Sequence, residues 1–208
     1  FLRYKWDRRD SKSGSIYNDS INPIFAAFGL DPATLANASE TIAAADLALP
    51  TNRFEREGLA LLARWNGGTN ESDQTAALAI LSFQPIFQAI VLDRALERPD
   101  PAQAYRDAVE YLVSNYGRVA VPLGEVQRLR RGDVDLPIGG GPDILNATHS
   151  KDDGGQLIGW AGDSYIQVVE FHPDGPRSIA LHQYGNVNRE DSPNYSDQAK
   201  LFQPGQSD

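Results

Sequence analysis

The sequence predicts an α+β protein, because helical patterns come first and strand patterns come last. Between residues 30 and 117, apolar residues recur with a helical period and the segments are bounded by capping residues, Pro and Gly. From Gln156 the period becomes two, and Pro173-Asp174-Gly175-Pro176 is a strong turn signal. Such an order fits an α+β fold. We predict a helical region over residues 1–122 and a β-rich region over residues 123–208, together one incomplete domain.

Two helices are expected early in the first region. Residues 1–28 read as irregular, and the first helix is an alanine-rich run over residues 33–49 that follows the capping pair Asp31-Pro32. The second covers residues 52–65, where large apolar residues recur near a 3.6-residue period until Asn66-Gly67-Gly68 stops the helix.

Proline marks the next two helices in different ways. The third begins near Asp73 and runs toward Leu96, and Pro85 should kink or divide it, because proline removes a backbone donor and clashes with the preceding turn. The fourth has the clearest pattern, since Asp100-Pro101 starts it, its apolar residues form one face, and Gly117 ends it.

The second region is predicted to contain a β-hairpin. Residues 165–171 alternate as a strand does, residues 173–176 reverse the chain, and residues 178–184 form the return strand. A short helix is expected at about residues 196–202. A hairpin alone cannot form a stable sheet, so its apolar faces require strands that this sequence lacks. We therefore expect a processed subunit or a piece of a longer chain, and the lack of methionine agrees.

The composition excludes several classes of function. The chain has 208 residues, 41% of them hydrophobic, which is enough for a packed core and too many for a disordered acidic chain. A net charge of −9 argues against nucleic acid or an anionic membrane as partner. No stretch is long and apolar enough to span a bilayer. The absence of cysteine excludes disulfides, thiolate zinc sites and a cysteine nucleophile.

Two local motifs could bind an anion, and both have a plainer interpretation. Gly139-Gly140-Gly141 could cradle a phosphate, but no Lys-Ser/Thr pair follows it, which favours a simple turn. The basic run over residues 128–131 is followed at once by Asp133 and Asp135, which favours local ion pairs.

The acidic, histidine and serine residues do not form a recognisable catalytic set. Asp152 and Asp153, with Asp163 or Glu170, could form a carboxylate pair or bind calcium, but the spacing of a calcium loop is missing and solvated loop acids are favoured. Ser164 and Ser192 lack the Gly-x-Ser-x-Gly elbow. Metal-ligand spacing is absent among the three histidines, which are His149, His172 and His182.

Four stretches, taken in order, are more specific evidence of a protein family than these motifs. They are residues 123–145, 162–171, 184–186 and 191–198. Together they resemble the C-terminal part of the large (β) subunit of the penicillin acylase family, and most closely its acyl-homoserine-lactone acylase and aculeacin-acylase branch. The likeness covers about residues 53–202. Asn66 replaces the aspartate of the family's Leu-x-x-Trp-Asp-Gly segment, and Asn194 replaces the histidine of its Ser-Pro-His-Tyr-x-Asp-Gln segment.

The resemblance implies an N-terminal-nucleophile hydrolase with a four-layer αββα sandwich. In that family a precursor cuts itself into two subunits, and the first residue of the large subunit is a serine whose own α-amino group acts as base through a water. An asparagine side chain and a backbone N–H bind the oxyanion. None of these groups matches a position in this sequence, so we assign it no catalytic residue, no metal and no cofactor.

The resemblance places one structural motif in this chain. We expect its residues to fix the return of the chain after the hairpin, with the side chains of Ser192, Asp197 and Gln198 pairing with backbone groups. The motif consists of Gly185, Ser192, Pro193, Asp197 and Gln198.

The resemblance further predicts that the chain is a scaffold portion of an amidase acting on an acylated small molecule. Acyl-homoserine lactones are favoured as substrates, followed by β-lactam and lipopeptide side chains, which implies quorum quenching or antibiotic biosynthesis as the setting. The expected partners are the remainder of the same zymogen precursor and the small substrate, without nucleic acid or membrane. We expect a periplasmic or secreted enzyme, and no activity from this chain alone.

Two other functions stay open at the level of sequence. The chain could be a non-catalytic acidic α+β module that binds a partner through the edge of its hairpin. A carboxylate-based hydrolase rests only on the acid-rich loops.

Overall fold

A computed structural model describes residues 14–31, 52–92 and 95–202, without the side chains of Leu92 and Phe202. The helix expected over residues 33–49 lies outside these residues. The described residues form helices and strands, which confirms the α+β prediction. None of the described helices combines the length and the apolarity needed to traverse a lipid bilayer.

The described N-terminal stretch is helical, so the prediction of irregular structure up to residue 28 is wrong there. A π-helical turn, Tyr17–Ile21, leads directly into helix α1, Asn22–Ala27. Ile21, Ile24 and Phe28 follow the i, i+3, i+7 spacing of one helix face, and all three are buried. The apolar spacing therefore overrides the polar composition of the preceding residues.

Two of the predicted helices are confirmed with nearly the predicted bounds. Helix α2 is Arg53–Arg64 and helix α4, the longest among the described residues, is Pro101–Tyr116. The side chain of Asp100 caps α4 by accepting from the Gln103 N–H at 2.9 Å. Gly117 ends α4 with a φ of 70°, a left-handed conformation that suits glycine.

The third predicted helix is also present, and Pro85 does not divide it. Helix α3, Ala76–Phe87, runs through Pro85 and continues as a π-helical stretch, Gln88–Leu92. Proline crowds the turn that precedes it, and here that turn stays α-helical, because the π-helical stretch begins only three residues after Pro85.

A four-stranded sheet follows a short helix α5, Leu123–Val126, and the sequence patterns did not predict it. The chain therefore contains more β structure than the expected hairpin. Strand β1 pairs antiparallel with β2 and parallel with β4, and β3 pairs antiparallel with β4, giving the order β2-β1-β4-β3. The strands are β1 Gln127–Arg131, β2 Val134–Pro137, β3 Thr148–Asp153 and β4 Gln156–Gly162.

The predicted hairpin is confirmed as a separate two-stranded sheet. Strand β5, Tyr165–His172, pairs antiparallel with strand β6, Gly175–His182, without a shift in register. Both faces expose large apolar side chains, with Phe171 86% and Ile179 62% exposed. Of the short helix expected at residues 196–202, only a 3-10 turn at Lys200–Phe202 is present.

Helices and the four-stranded sheet share one core. Leu157 of β4 belongs to the same buried cluster as the apolar faces of the helices. A second, small cluster of Leu129, Ile138 and Ala199 joins β1 to the C-terminal segment, and Leu181 of the hairpin packs against it. The division of the chain at residue 122 stays a prediction.

Candidate functional site

The segment after the hairpin folds back on itself, and Gly185 lies where its two arms meet. The Asn186 N–H donates to the Asn194 carbonyl at 3.1 Å. A Cβ at position 185 would come within 2.6 Å of the Tyr195 carbonyl oxygen and closer still to that of Asn194. Glycine is therefore required at this position by the close approach of the backbone.

Two of the three side chains expected to pair with backbone groups do so. Ser192 Oγ accepts from the Asn194 N–H at 3.2 Å, and Gln198 Oε1 accepts from the His182 N–H at 2.7 Å. Asp197 is exposed, and its side chain has no hydrogen-bond partner among the described residues. Pro193 is exposed on the same loop. Ser192 and Gln198 thus shape the loop directly, whereas Asp197 does not.

Arg131 ties this loop to the sheet, and the sequence analysis missed it. Its Nε donates to the Tyr195 carbonyl at 2.7 Å, and its Nη2 donates to the Val187 carbonyl and to Asn188 Oδ1, each at 3.1 Å. The guanidinium also lies over the Tyr195 ring, 4.0 Å from its centroid. The partners of Arg131 are therefore loop groups rather than the aspartates that follow the basic run.

The other two arginines of that run form the local ion pairs that the sequence predicts. Arg128 Nε lies 2.7 Å from Asp135 Oδ1, and Arg130 Nε lies 3.0 Å from Asp135 Oδ2. Burial raises the pKa of Asp135, but the hydrogen bonds and charges of both arginines outweigh it and hold that pKa below its ordinary value. Alternation along β1 places Arg131 on the opposite face, where it meets the loop.

The Gly139-Gly140-Gly141 segment is a turn filled by protein groups. Gln127 Nε2 donates toward the Gly139 and Gly140 carbonyls, each at 3.2 Å. The N–H groups of Gly140 and Gly141 donate to the Thr69 and Asn146 carbonyls. A phosphate site needs free N–H groups, and these two are occupied, so the structure favours the turn.

A cleft of about 250 Å³ lies between the end of α3 and strand β3. The His149 ring stacks on Phe87 with centroids 5.3 Å apart, and Lys151 Nζ lies 4.0 Å from the Trp160 ring centroid. Burial lowers the pKa of His149, so its imidazole is neutral at pH 7. The lining residues are Gln84, Phe87, Gln88, His149, Ser150, Lys151, Asp152 and Trp160.

Asp152 and Ser150 of this cleft serve structural contacts. Asp152 Oδ1 accepts from the Tyr111 O–H at 2.6 Å and from the Gly155 N–H at 3.2 Å, so this aspartate is not simply a solvated loop acid. Ser150 Oγ donates to Gln127 Oε1 at 3.0 Å. A serine nucleophile is activated by a base nearby, and the amide oxygen that Ser150 contacts is not a base. Ser150 is therefore not activated.

The remaining histidines lie on the hairpin. His172 Nε2 lies 2.9 Å from Glu170 Oε2, and the His182 ring packs against Tyr165 with centroids 4.8 Å apart. Within residues 14–31, 52–92 and 95–202, no group of three or more His, Asp or Glu side chains could hold a metal ion. The described residues thus supply a clamped loop and a cleft.

Comparison with known proteins defines the class to which this chain belongs. The family model for penicillin amidase matches residues 26–207, which is most of the chain. The chain belongs to the penicillin amidase family, as the resemblance in its motifs predicts.

Particular relatives are proteins named acyl-homoserine lactone acylase PvdQ. The one from Pseudomonas syringae pv. syringae is 30% identical over 118 residues, 52% of this chain and 15% of that protein. The one from Pseudomonas fluorescens Pf0-1 is 34% identical over 122 residues, with the same coverage of 52% and 15%. The one from Pseudomonas putida is 30% identical over 168 residues, 68% of this chain and 21% of that protein. The aligned part of this chain spans only 15% to 21% of the length of these relatives.

Proposed function

We propose that this chain is a scaffold portion of an acylase that hydrolyses the amide bond of acyl-homoserine lactones through a serine outside this sequence. The family match over residues 26–207 is the observation that carries the proposal. The names of the relatives supply the substrate class. Side chains of β-lactams and lipopeptides are the next substrates to test. The comparisons do not favour the alternative of a non-catalytic binding module.

The geometry of the hairpin supports a scaffold role. One end of the hairpin packs on the cluster of Leu129, Ile138 and Ala199, while Phe171 and Ile179 stay exposed. Apolar side chains on both faces of a sheet suit an inner layer of a sandwich. In the proposed αββα architecture, the remainder of the same precursor covers these strands, and the two layers position the nucleophile.

In the proposed reaction, the role of this chain is to hold the catalytic groups of the enzyme in position. A serine hydroxyl attacks the amide carbonyl, the homoserine lactone amine leaves, and water hydrolyses the resulting acyl-enzyme. A misplacement of about 1 Å can cost about a hundredfold in rate, which is why a rigid scaffold matters. We further propose that the enzyme matures from a zymogen, works in the periplasm or outside the cell, and removes acylated signals, which amounts to quorum quenching.

The test compares the intact protein that contains this chain with the 208-residue chain alone. Release of free homoserine lactone amine from an acyl-homoserine lactone is followed in both, with benzylpenicillin as the second substrate. We expect turnover of the lactone by the intact protein only. A serine-reactive sulfonyl fluoride should label a residue outside the 208-residue sequence. Turnover by the isolated chain, or a labelled serine within it, contradicts the proposal.

A further inference from the structure

The two free edges of the hairpin differ, and the difference shows which one accepts another strand. We propose that β5 pairs through its outer edge with an extended segment from the remainder of the same precursor, whereas the outer edge of β6 stays unpaired by any strand. The inference rests on the proposed function for the identity of the partner.

The direction of each backbone N–H follows from the register. In an antiparallel pair, opposed residues alternate between those that exchange hydrogen bonds and those whose N–H and C=O groups point outward. Pro176 has no N–H and lies opposite Phe171, which fits a pair of the second kind. The two kinds of pair alternate along the hairpin, so every second pair after Phe171–Pro176 is of the same kind. The pair of Tyr165 and His182 is therefore also one whose N–H and C=O groups point outward. The His182 N–H does point outward, because it donates to Gln198.

The outer edge of β6 is blocked at both ends. Pro176 offers no donor near the turn, and proline is a common protection for edge strands. At the other end the His182 N–H is occupied by Gln198 Oε1 at 2.7 Å. Only the N–H groups of Ser178 and Ala180 point outward between these two residues, which is too short a ladder for a stable added strand.

The outer edge of β5 carries none of these protections. Its outward N–H groups have no partner among the described residues. They belong to Tyr165, Gln167, Val169 and Phe171. None of these four side chains is charged and none is proline, although exposed edges usually carry such residues to prevent pairing, and the one acidic residue of β5, Glu170, lies on its other face. Tyr165 is 50% and Phe171 86% exposed, so the same residues also offer apolar area.

The remainder of the precursor is the occupant that the observations favour. The aligned residues amount to only 15% to 21% of the length of the relatives, so a large polypeptide is available in proteins of that size. A second copy of this chain would bring together two molecules that each carry a net charge of −9, which opposes association. The incoming strand should be apolar where it lies beside Val168 and Val169, which are on opposite faces of β5, and polar or basic where it lies beside Glu170.

Hydrogen exchange in the intact protein tests the edge directly, with mass spectrometry that resolves single amides. We expect the Gln167 and Val169 amides to exchange at least about a hundredfold more slowly than those of Ser178 and Ala180, since paired amides exchange only on opening. Equal exchange on the two strands, or protection confined to β6, overturns the proposal. Protection of β5 that disappears on dilution indicates a second copy and also overturns it.

A matched pair of proline variants gives an independent test in the intact protein. Gln167 and Ala180 lie directly opposite each other and both have outward N–H groups, so proline at either position spares the bonds between β5 and β6. Gln167→Pro should abolish the folded, protease-resistant assembly, while Ala180→Pro and Gln167→Ala should retain it. Equal losses in the two proline variants argue against the assignment.

These experiments distinguish a failure of the β5 edge assignment from a failure of the proposed enzyme activity. An intact protein with protected β5 amides and no turnover of acyl amides rejects the proposed function and leaves the edge assignment standing. An intact protein with normal turnover of acyl amides and freely exchanging β5 amides rejects the edge assignment and leaves the proposed function standing.

Discussion

The helical region and the hairpin of this chain bury their apolar side chains to very different degrees. Phe83 of α3 and Tyr105 of α4 are almost completely buried, and helices α1 to α4 share one core. On the hairpin, Phe171 and Ile179 are mostly exposed although the strands are regular and in register. Regular secondary structure is therefore not evidence of completed packing. The hairpin has its backbone pairing, but its large apolar side chains stay exposed.

The largest contrast should appear on truncating a phenylalanine in each region. Phe83→Ala removes a buried ring and leaves a cavity, so we expect the free energy of unfolding of the 208-residue chain to fall by about 3–5 kcal/mol. Phe171→Ala removes a ring that already faces water and should change it by less than about 0.5 kcal/mol. Chemical denaturation followed by tryptophan fluorescence measures both.

The contrast sharpens when the same variants are placed in the intact protein. If a covering layer exists there, Phe171→Ala becomes destabilising, whereas the effect of Phe83→Ala is unchanged. A Phe171→Ala variant that is neutral in both contexts shows that the hairpin has no cover, and the comparison between the regions then loses its explanation.

The helices were predictable because their signals are local. Asp100 before Pro101 and Gly117 after Tyr116 gave both ends of α4, and the structure confirms the cap and the left-handed φ. The alternation after Tyr165 and the turn near Gly175 gave the hairpin in the same way. The helical N-terminus was missed since the polar residues before Ser20 hid the spacing from Ile21 to Phe28.

The two-residue period from Gln156 covers β4, but the rest of the four-stranded sheet was not predictable from alternation, because β1 and β3 are short and mostly polar. Strand β3 reads Thr-His-Ser-Lys-Asp-Asp, and its buried members are Thr148 and Ser150. These polar residues occupy the core because neighbouring groups satisfy them, as Gln127 does for Ser150. Parallel pairing of β1 with β4 also joins segments far apart in sequence, and no local signal reports it.

The structural motif was partly predictable, and only through resemblance. Gly185, Ser192 and Gln198 make the contacts that fix the loop, whereas the side chain of Asp197 faces solvent. Arg131 escaped notice because the basic run was treated as one set of charges. A two-residue period within that run separates Arg131 from Arg128 and Arg130, so a strand assignment would have found it.

The second prediction concerns this arginine. Arg131→Ala leaves the Tyr195 and Val187 carbonyls without their charged donor, and we expect a loss of about 2–3 kcal/mol in the free energy of unfolding. Arg131→Lys should recover part of it, because an ammonium cannot reproduce the planar fork. The matched control is Arg130→Ala on the opposite face, where an exposed ion pair is worth about 1 kcal/mol or less.

The readout for Arg131 should be local as well as global. Hydrogen exchange of the Asn186 and Tyr195 amides, which close the loop, should accelerate in Arg131→Ala and stay unchanged in Arg130→Ala. Equal effects of the two alanine variants mean that charge alone, and not the clamp, holds the C-terminal segment.

The smallest expected effect tests the departure from the family pattern at Asn66. Asn66 Oδ1 accepts from the Gly68 N–H at 2.8 Å and shapes the turn in which Trp65 Nε1 donates to the Gly68 carbonyl at 2.7 Å. An aspartate supplies the same acceptor, so Asn66→Asp should stay within about 0.5 kcal/mol of the parent chain. Asn66→Ala removes the acceptor and should cost about 1 kcal/mol. The thermal midpoint and the fluorescence maximum of the chain measure both variants. An Asn66→Asp variant as unstable as Asn66→Ala shows that the amide nitrogen, rather than the shared oxygen, is what this position requires.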